Sequence, residues 1–340
     1  MRAMVLRGKT LAVEEVERPR PQSGEVLAKV LACGICGSDL HYARFADDLR
    51  DSSRAERGVL ANADVASGIV MGHEFIAEVV EAGKGVTSWQ KGDRVASMPV
   101  LVPQDGRLGD NIGYSARFPG AYGEFVILSA PLLLRVPSSL SDRLAALTEP
   151  CGVALHAVRE AALPPSSAVL VMGAGPIGML TMLWLKAEGH RVVVSDPAPS
   201  RRDLASSLDA DVVLDPSDDG FAASMTEALG APPAVIFECV GVQGTLQQAM
   251  ELVARRGRVI VVGVCMLEDR VRPLLAINKH LTLQFVLGYS PQEFAEALEA
   301  LGSGKIDGSR VVTRTVSLDE LPAAFASLGD PKDCKVVLEL

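Results

Sequence analysis

The stretch from residue 168 to residue 196 constrains the fold of this chain more than any other part of its sequence. Residues 168–185 are eighteen consecutive positions without a charged side chain, which is the length of a short membrane span. Gly173, Gly175, Pro176 and Gly178 interrupt that run and break its helical continuity. The sequence therefore predicts a buried β-strand, a tight turn and a buried helix, and no membrane span.

The turn has the pattern G-x-G-x-x-G, which follows the predicted strand Val169–Met172 and opens the predicted helix Ile177–Ala187. Asp196 ends the next predicted strand, eighteen residues after Gly178. In this arrangement the glycines let the backbone approach a pyrophosphate, the helix N-terminus supplies N–H donors, and the acid meets the adenosine ribose. The pattern predicts a dinucleotide site, with a purely structural glycine turn as the alternative.

Asp196 also favours NAD over NADP, because a carboxylate repels a 2′-phosphate. Arg201 and Arg202 follow closely enough to keep NADP open. Lys335, near the C-terminus, is a further candidate for the positive charge on the pyrophosphate. The expected cofactor-binding residues are Gly173, Gly175, Pro176, Ile177, Gly178, Asp196, Arg201, Val240, Gly263 and Lys335.

From Pro150 onward, apolar β-branched runs alternate with helical patterns. The predicted strands are Val169–Met172, Arg191–Ser195, Val212–Leu214, Ala234–Glu238, Arg258–Val264 and Leu281–Leu287, and the helices between them are Ile177–Ala187, Ser200–Ser207, Phe221–Leu229 and Leu246–Ala254. This alternation predicts an α/β fold with a parallel, doubly wound sheet of the Rossmann type. Before Pro150 the strands are short and separated by proline and glycine, which is typical of a β-rich domain without a helix of ordinary length.

A length of 340 residues favours two domains. We expect a β-rich catalytic domain over residues 1–152, a dinucleotide-binding domain over 153–288, and a return to the first domain over 289–340. The formal charge of −9 and the absence of a basic block argue against nucleic acid or a membrane surface as a partner. Six irregularly spaced cysteines and the lack of an N-terminal signal sequence predict a cytoplasmic protein with reduced thiols.

Reactive side chains are concentrated in residues 34–41, which contain Cys36, Ser38, Asp39 and His41. Cys33 and Cys36 form a C-x-x-C pair, which taken alone fits a redox site or half of a zinc ribbon. No second C-x-x-C pair occurs in the chain, so both of these interpretations lose support. Cys33 is then best explained as a core thiol.

Five motifs occur in a fixed order: Gly34–His41, Gly72-His73-Glu74, Gly92–Val95, Thr148-Glu149-Pro150 and Gly173–Gly178. Together they resemble the zinc-dependent branch of the medium-chain dehydrogenase/reductase superfamily, over almost the whole chain. The Glu149-Pro150 variant is most similar to the polyol, threonine and butanediol dehydrogenases. The resemblance implies a GroES-like catalytic domain into which the Rossmann domain is inserted.

The resemblance also implies that Cys36, His73 and Glu149 hold one catalytic zinc ion. One thiolate, one imidazole and one carboxylate suit such a site. Asp39 is implied as the carboxylate that supports a histidine ligand, and Glu74 as a supporting or exchanging ligand. Cys151, at the first turn of a helix, remains an alternative to Glu149. Residues 97–122 contain no cysteine, so the four-cysteine structural zinc site common in this superfamily is not expected.

The implied activity is hydride transfer between NAD and a secondary alcohol or polyol, or the corresponding ketone or aldehyde. Ser38 and His41 are implied as the proton path, although a surface histidine is the alternative for His41. The late strand within 274–289 is implied as a pairing edge in a homodimer or homotetramer, unless it is simply the buried last strand. Two alternatives remain: a zinc-free NADPH quinone or enone reductase, and a non-enzymatic dinucleotide-binding protein.

Overall fold

A computed structural model describes residues 1–45, 68–102, 111–115 and 118–340 of the chain. The sequence also predicts a loop over residues 43–66, a candidate lid or pocket wall, and a second loop over 103–121. Residues 46–66 of the first loop, and 103–110 and 116–117 of the second, lie outside the described residues. The chain divides into two compact units. The first comprises residues 1–149, 314–330 and 335–340, and the second comprises residues 150–313 and 331–334.

The first unit is built mainly from short antiparallel strands, as the early part of the sequence predicts. Its strands are β1 (Arg2–Arg7), β2 (Thr10–Glu15), β3 (Glu25–Gly34), β4 (Ile69–Val70), β5 (Glu74–Ala82), β6 (Arg94–Ser97), β7 (Phe125–Ser129), β8 (Leu133–Arg135), β15 (Val312–Val316) and β16 (Lys335–Glu339). They form a three-stranded sheet in the order β2-β1-β4 and a seven-stranded sheet in the order β15-β16-β3-β5-β6-β8, with β7 also paired to β3.

Strand β3 lies at the centre of the larger sheet and carries the chain into the reactive stretch. Its partners in register include Cys33 with Phe75 on β5 and Cys33 with Leu338 on β16. Because β3 ends at Gly34 while β5 begins at Glu74, the residues that follow β3 and precede β5 meet at one end of this sheet. The pairing therefore places Cys36 and His73 close together.

Three helices lie within the described part of the first unit. Residues 37–45 are helical (α1), which the sequence analysis missed, and α2 (Asp142–Ala145) and α10 (Leu321–Ser327) are short. Asp39 is the third residue of α1, and its carboxylate accepts a hydrogen bond from the backbone N–H of Cys36 at 3.2 Å. This reach back to the residue before the helix is half of a capping box, which stabilises the helix start.

The second unit has a six-stranded parallel sheet in the order β11-β10-β9-β12-β13-β14. Its strands are β9 (Ala168–Met172), β10 (Arg191–Ser195), β11 (Val212–Leu214), β12 (Val235–Glu238), β13 (Arg258–Val261) and β14 (Thr282–Phe285), and its helices are α3 (Thr148–Glu160), α4 (Pro176–Ala187), α5 (Pro199–Ser207), α6 (Phe221–Leu229), α7 (Thr245–Leu252), α8 (Pro273–Lys279) and α9 (Pro291–Ser303). This is the predicted α/β fold class, with one β-rich unit and one unit built on a parallel sheet of the Rossmann type.

The chain leaves the second unit later than the predicted boundary at residue 289. Glu293, on α9, accepts a hydrogen bond at 3.2 Å from His156, on α3. This contact joins α9 to the second unit, and the return to the first unit begins at residue 314.

Helix α3 begins at Thr148. Pro150 lies within its first turn, where the missing N–H of proline has no intrahelical partner to lose. Glu149 therefore lies on a helix. No helix among the described residues is long and apolar enough to cross a membrane.

Candidate metal and dinucleotide sites

Cys36, His73 and Glu74 form a group of potential metal ligands in the first unit. One ligand atom of each residue lies within 4.8 Å of those of the other two. His73 and Glu74 are buried and Cys36 is half-buried. The register of β3 against β5 produces this group, and the sequence-predicted pair of Cys36 and His73 is brought together.

Asp39 is fully buried and holds the imidazole of His73. Its Oδ1 atom lies 3.3 Å from His73 Nδ1, which leaves Nε2 of the ring available to a metal. Tyr122 donates its hydroxyl hydrogen to Asp39 Oδ2 at 2.6 Å. Burial by itself raises the pKa of Asp39, but His73 and Tyr122 more than offset it and hold the pKa below its usual value.

Negative charge surrounds His73. Burial alone lowers the pKa of His73, but the carboxylate of Asp39 and the thiol of Cys36 reverse this effect and hold the pKa well above its usual value. A site that stabilises positive charge on an imidazole in this way also favours a metal cation beside it. Together with the thiol and carboxylate donors, this field fits a zinc ion.

Tyr114 adds a phenol to the group. Its hydroxyl lies 2.8 Å from Ser38 Oγ, 3.2 Å from Asp39 Oδ1 and 3.2 Å from His73 Nδ1. Burial, with the adjacent Asp39 and Cys36, raises the pKa of Tyr114 well above its usual value, so the phenol stays protonated. Neither Tyr114 nor Tyr122 is among the site residues predicted from the sequence.

Glu74 forms a buried ion pair with Lys335. The ammonium Nζ lies 2.8 and 2.7 Å from the two carboxylate oxygens and donates to the carbonyl of Ile35 at 3.0 Å. Lys335 is only 2% exposed. Burial lowers the pKa of Lys335, but Glu74 outweighs it and the pKa is raised. The sequence analysis placed Lys335 on a pyrophosphate, whereas the structure places it on Glu74.

Glu149 and Cys151, the two candidates for the third zinc ligand, lie outside the group formed by Cys36, His73 and Glu74. Glu149 is half-buried on α3, and its negative charge helps to raise the pKa of Lys335. Among the described residues, the group of potential metal ligands contains Glu74 and does not include Glu149. Cys151 is fully buried, and its sulfur lies 3.2 Å from Trp184 Nε1. Burial raises the pKa of the Cys151 thiol to about 12, which describes an inert core thiol.

His41 lies on α1, half-buried, rather than on a surface turn. Its Nδ1 atom is buried and has no hydrogen-bond partner among the described residues. Burial and, to a smaller extent, the positive charge of Arg44 lower the pKa of His41. The imidazole is thus kept neutral near pH 7, and its unpaired nitrogen calls for a partner from outside the described chain.

The predicted dinucleotide loop joins β9 to α4 in the second unit. Gly173 has φ +91°, and a Cβ there would lie 2.8 Å from Val240, so the loops after β9 and β12 touch. A Cβ on Gly178 would lie 1.8 Å from the carbonyl oxygen of Gly173, whereas one on Gly175 would meet no protein atom within 4 Å. Gly175 therefore borders open space at the N-terminus of α4, where a pyrophosphate fits.

The dinucleotide loop lies where the strand order of the parallel sheet reverses. The neighbours of β9 are β10 on one side and β12 on the other, so the order of the strands reverses there. Parallel sheets bind their ligands at the carboxyl ends of the strands, where the order reverses. Glu238, at the end of β12, is buried, and its carboxylate accepts the N–H groups of Val240 at 2.8 Å and Gly241 at 2.9 Å. The sequence analysis missed this carboxylate, which shapes the loop.

Asp196 ends β10 beside the same loop. Its carboxylate accepts the N–H of Ala174 at 2.8 Å and that of Ala198 at 2.9 Å. The guanidinium of Arg201 is bound by the carbonyls of Pro331, Ala174 and Asp333. Arg202 pairs with Asp215 at 2.8 Å and also donates to the carbonyl of Asp196. Both arginines are thus engaged by groups of the protein itself. Gly263 also approaches this region, because a Cβ there would lie 2.3 Å from the N atom of Gly241.

Two family models and several known proteins match this chain. The alcohol dehydrogenase GroES-like domain model matches residues 22–138, and the zinc-binding dehydrogenase model matches residues 176–303. (R,R)-butanediol dehydrogenase of Bacillus subtilis (strain 168) is 32% identical, over 92% of this chain and 91% of its own length. Sorbitol dehydrogenase of Ovis aries is 30% identical, over 97% of this chain and 93% of its own length.

A solved structure from Sinorhizobium meliloti 1021, named as a zinc-binding dehydrogenase bound to NADP, is 26% identical and superposes with a TM-score of 0.86. The superposition covers 100% of this chain and 99% of the chain of the solved structure. The fold and site define an oxidoreductase of the medium-chain dehydrogenase/reductase superfamily. More narrowly, the chain belongs to the zinc-dependent alcohol and polyol dehydrogenase branch of that superfamily.

Proposed function

We propose that this protein is a zinc-dependent, NAD-linked dehydrogenase that interconverts a secondary alcohol or diol with the corresponding carbonyl compound. The observation that carries the proposal is the convergence of Cys36, His73 and Glu74 within 4.8 Å, beside the hydroxyl of Ser38. A thiolate, an imidazole and a carboxylate leave a zinc ion with an open position, as catalytic zinc sites require. The related butanediol and sorbitol dehydrogenases support a diol or polyol as the substrate class.

The ligand set proposed here is Cys36, His73 and Glu74, with Glu149 as an exchanging partner near Lys335. A zinc ion held by these residues supplies Lewis acidity that makes an alcohol hydroxyl a stronger acid. Asp39 fixes the tautomer of His73 by accepting the Nδ1 hydrogen, and Tyr122 and Cys36 in turn hold Asp39. Lys335 restrains Glu74 through two hydrogen bonds, so this carboxylate keeps a single orientation.

Ser38 and His41 form the proposed proton path for the reaction. Ser38 follows the thiol ligand Cys36 by two residues, so its hydroxyl lies where a substrate hydroxyl proton is released. His41 is kept neutral by burial and by Arg44, which suits a base that receives the proton on its way to solvent. Among the residues that the structure describes, Nδ1 of His41 has no hydrogen-bond partner, so this nitrogen is available to accept the proton.

The preferred cofactor is proposed to be NAD. Asp196 places a carboxylate at the end of β10, where a 2′-phosphate would lie, and Arg201 and Arg202 are held by carbonyl and carboxylate groups instead of facing a phosphate. A ratio of kcat/KM for NADP over NAD below one is expected. A ratio above one would contradict this choice.

We also propose a homodimer, or a homotetramer formed from dimers. Strand β14 is the last strand of the parallel sheet. Phe285, its final residue, is 70% exposed, and Leu287, two residues beyond it, is 87% exposed. An exposed apolar edge strand of this kind pairs readily with a second copy. The alternative interpretation from the sequence, a fully buried last strand, does not fit this exposure.

The experiment that tests the proposed function is a screen of purified protein against alcohols, diols, polyols, ketones and enones with NAD(H) and NADP(H). We expect NAD-linked turnover of at least one secondary alcohol or diol, and its loss in Cys36→Ser. Metal-independent reduction of enones with NADPH would support a zinc-free reductase instead. Binding of NAD without turnover of any compound would support a non-enzymatic dinucleotide-binding protein.

A further inference from the structure

The backbone around Tyr114 fixes its position against the metal-ligand group. Ile112 is fully buried, and Gly113 has φ +89°, with the site of its absent Cβ only 3.0 Å from the carbonyl oxygen of Gly72. His73 follows Gly72 directly, so this contact sets the Tyr114 ring beside the imidazole, 5.3 Å between centroids. Only glycine accommodates both the positive φ and the close approach.

The direction of the hydrogen bonds of Tyr114 follows from a count of donors. A phenol has one hydrogen to donate, and an ionised carboxylate only accepts. The O–H of Tyr114 donates to Asp39 Oδ1 at 3.2 Å, and His73 Nδ1 carries its own hydrogen toward the same carboxylate. Tyr114 is therefore an acceptor toward Ser38, whose hydroxyl donates to it at 2.8 Å.

This direction has a consequence for Ser38. When the hydrogen of Ser38 is directed to Tyr114, the lone pairs of Oγ point away from it. They are then free to accept a hydrogen bond from a substrate hydroxyl. When that proton is transferred, the hydrogen of Ser38 turns from Tyr114 toward the proton path to His41, so that Oγ releases one proton for each one that it receives. Without Tyr114 the hydroxyl of Ser38 rotates freely, and a part of the population faces the substrate with its hydrogen instead.

We propose that Tyr114 is a positioning residue that orients Ser38 as a hydrogen-bond acceptor for the substrate hydroxyl, and that Asp39 links this orientation to the ligand His73. The inference rests on the proposed function, because the orientation of Ser38 affects the rate only if a substrate proton reaches it. Tyr114 acts through Ser38 and is assigned no direct contact with the substrate.

Tyr122 provides a matched control. Both tyrosines donate to Asp39, but among the described residues only Tyr114 is also bonded to Ser38. Tyr114→Phe and Tyr122→Phe each remove one hydroxyl and keep the ring. Any effect that passes through Asp39 alone is expected in both variants, whereas an effect that passes through Ser38 is expected only in Tyr114→Phe.

The first test is a double-mutant cycle with Ser38→Ala, followed by the rate of alcohol oxidation. We expect Tyr114→Phe to lower kcat about tenfold with little change in KM, as loss of one aligned hydrogen bond predicts. In the Ser38→Ala background the same substitution is expected to have almost no further effect, while Tyr122→Phe has the same effect in both backgrounds. An undiminished effect of Tyr114→Phe in Ser38→Ala would overturn the inference.

The second test needs no turnover. The chain contains four tyrosines, so ¹³Cζ-tyrosine labelling gives four resonances, two of which are assigned by Tyr114→Phe and Tyr122→Phe. Ser38→Ala is expected to shift the Tyr114 resonance and leave that of Tyr122 in place. An unchanged Tyr114 resonance would overturn the hydrogen bond. A wild-type protein without NAD-linked activity would instead contradict the proposed function, and with it the role given to Tyr114.

Discussion

Glu74 and Lys335 form the buried pair on which the metal site depends most. Glu74→Gln alone removes the carboxylate that balances the buried ammonium of Lys335, which is strongly destabilising. The informative variant is therefore Glu74→Gln combined with Lys335→Met, which removes both charges and keeps the volume.

We expect this double variant to fold and to bind zinc about 10–100-fold more weakly than the wild type. Zinc affinity, measured by competition with a chelator, checks the prediction. Cys151→Ser serves as the control and is expected to bind zinc with full affinity. Glu149→Gln removes the proposed exchanging partner and is expected to weaken zinc binding less than the double variant does. If Glu149→Gln lost the metal while the double variant kept it, Glu149 would be the third ligand. Loss of zinc in Cys151→Ser, with zinc kept in Glu149→Ala, would assign Cys151.

His41 gives a prediction about pH. Its pKa lies below the usual value, so it loses its function as a base only when the pH falls through that lowered pKa. Alcohol oxidation is expected to keep its rate to a pH below about 6.5 and then to decline. The dependence of kcat/KM on pH checks this.

Two variants separate His41 from other titrating groups. His41→Gln is expected to lower kcat/KM by about 100-fold and to abolish this acidic limb. Arg44→Gln removes a positive charge that lowers the pKa of His41, so the limb is expected to move to higher pH. Full activity with an unchanged profile in His41→Gln would remove this residue from the proton path.

At the scale of elements, β9, its glycine loop and α4 give a matched pair of substitutions. Gly178→Ala places a Cβ 1.8 Å from the carbonyl of Gly173, and we expect it to destabilise the fold by about 1–3 kcal/mol. Gly175→Ala meets no protein atom and has φ −76°, so its cost is at most about 1 kcal/mol.

The open space beside Gly175 is the proposed pyrophosphate position, so Gly175→Ala is expected to weaken NAD binding at least about tenfold. Thermal unfolding and calorimetric titration with NAD check the two effects separately. Equal loss of stability in both variants would contradict the open space beside Gly175. Unchanged NAD binding in Gly175→Ala would show that the cofactor does not approach this glycine.

Elements with a strong local signal could be predicted from the sequence. The loop of Gly173–Gly178, the strand before it and the helix after it follow from hydrophobic periodicity and turn chemistry, which act over neighbouring residues. Helix α1 was missed because Gly37, Ser38 and Asp39 are typical loop residues. The three-residue spacing of Cys36 and Asp39, which the structure shows to be a capping contact, could have indicated the start of this helix.

The environment of Asp39 could not be predicted, because its partners are distant in the chain. Tyr114 and Tyr122 lie 75 and 83 residues away, and only the fold brings them to the carboxylate. The same holds for Lys335, which the sequence analysis assigned to a pyrophosphate and the structure pairs with Glu74, 261 residues away. The family resemblance indicated which residues matter without giving these contacts.

At the scale of the whole molecule, the exposed edge at β14 predicts self-association. Phe285→Asp places a charge on this edge, and we expect it to weaken the dimer at least about 100-fold, because the buried charge would lack a partner. Analytical ultracentrifugation measures the change. Val102→Asp is the control, since Val102 is also exposed, at 51%, but belongs to the first unit. A wild-type monomer, or an unchanged oligomer in Phe285→Asp, would contradict the assignment of this edge.

The central claim is that one zinc ion per chain, held near Cys36 and His73, is required for NAD-linked alcohol oxidation. The most direct measurement removes metal from the purified protein with a chelator, restores zinc in steps and follows both the zinc content and the rate. The account predicts that activity returns in proportion to bound zinc and saturates at about one ion per chain, while NAD still binds to the metal-free protein. A rate that does not depend on zinc content would contradict it.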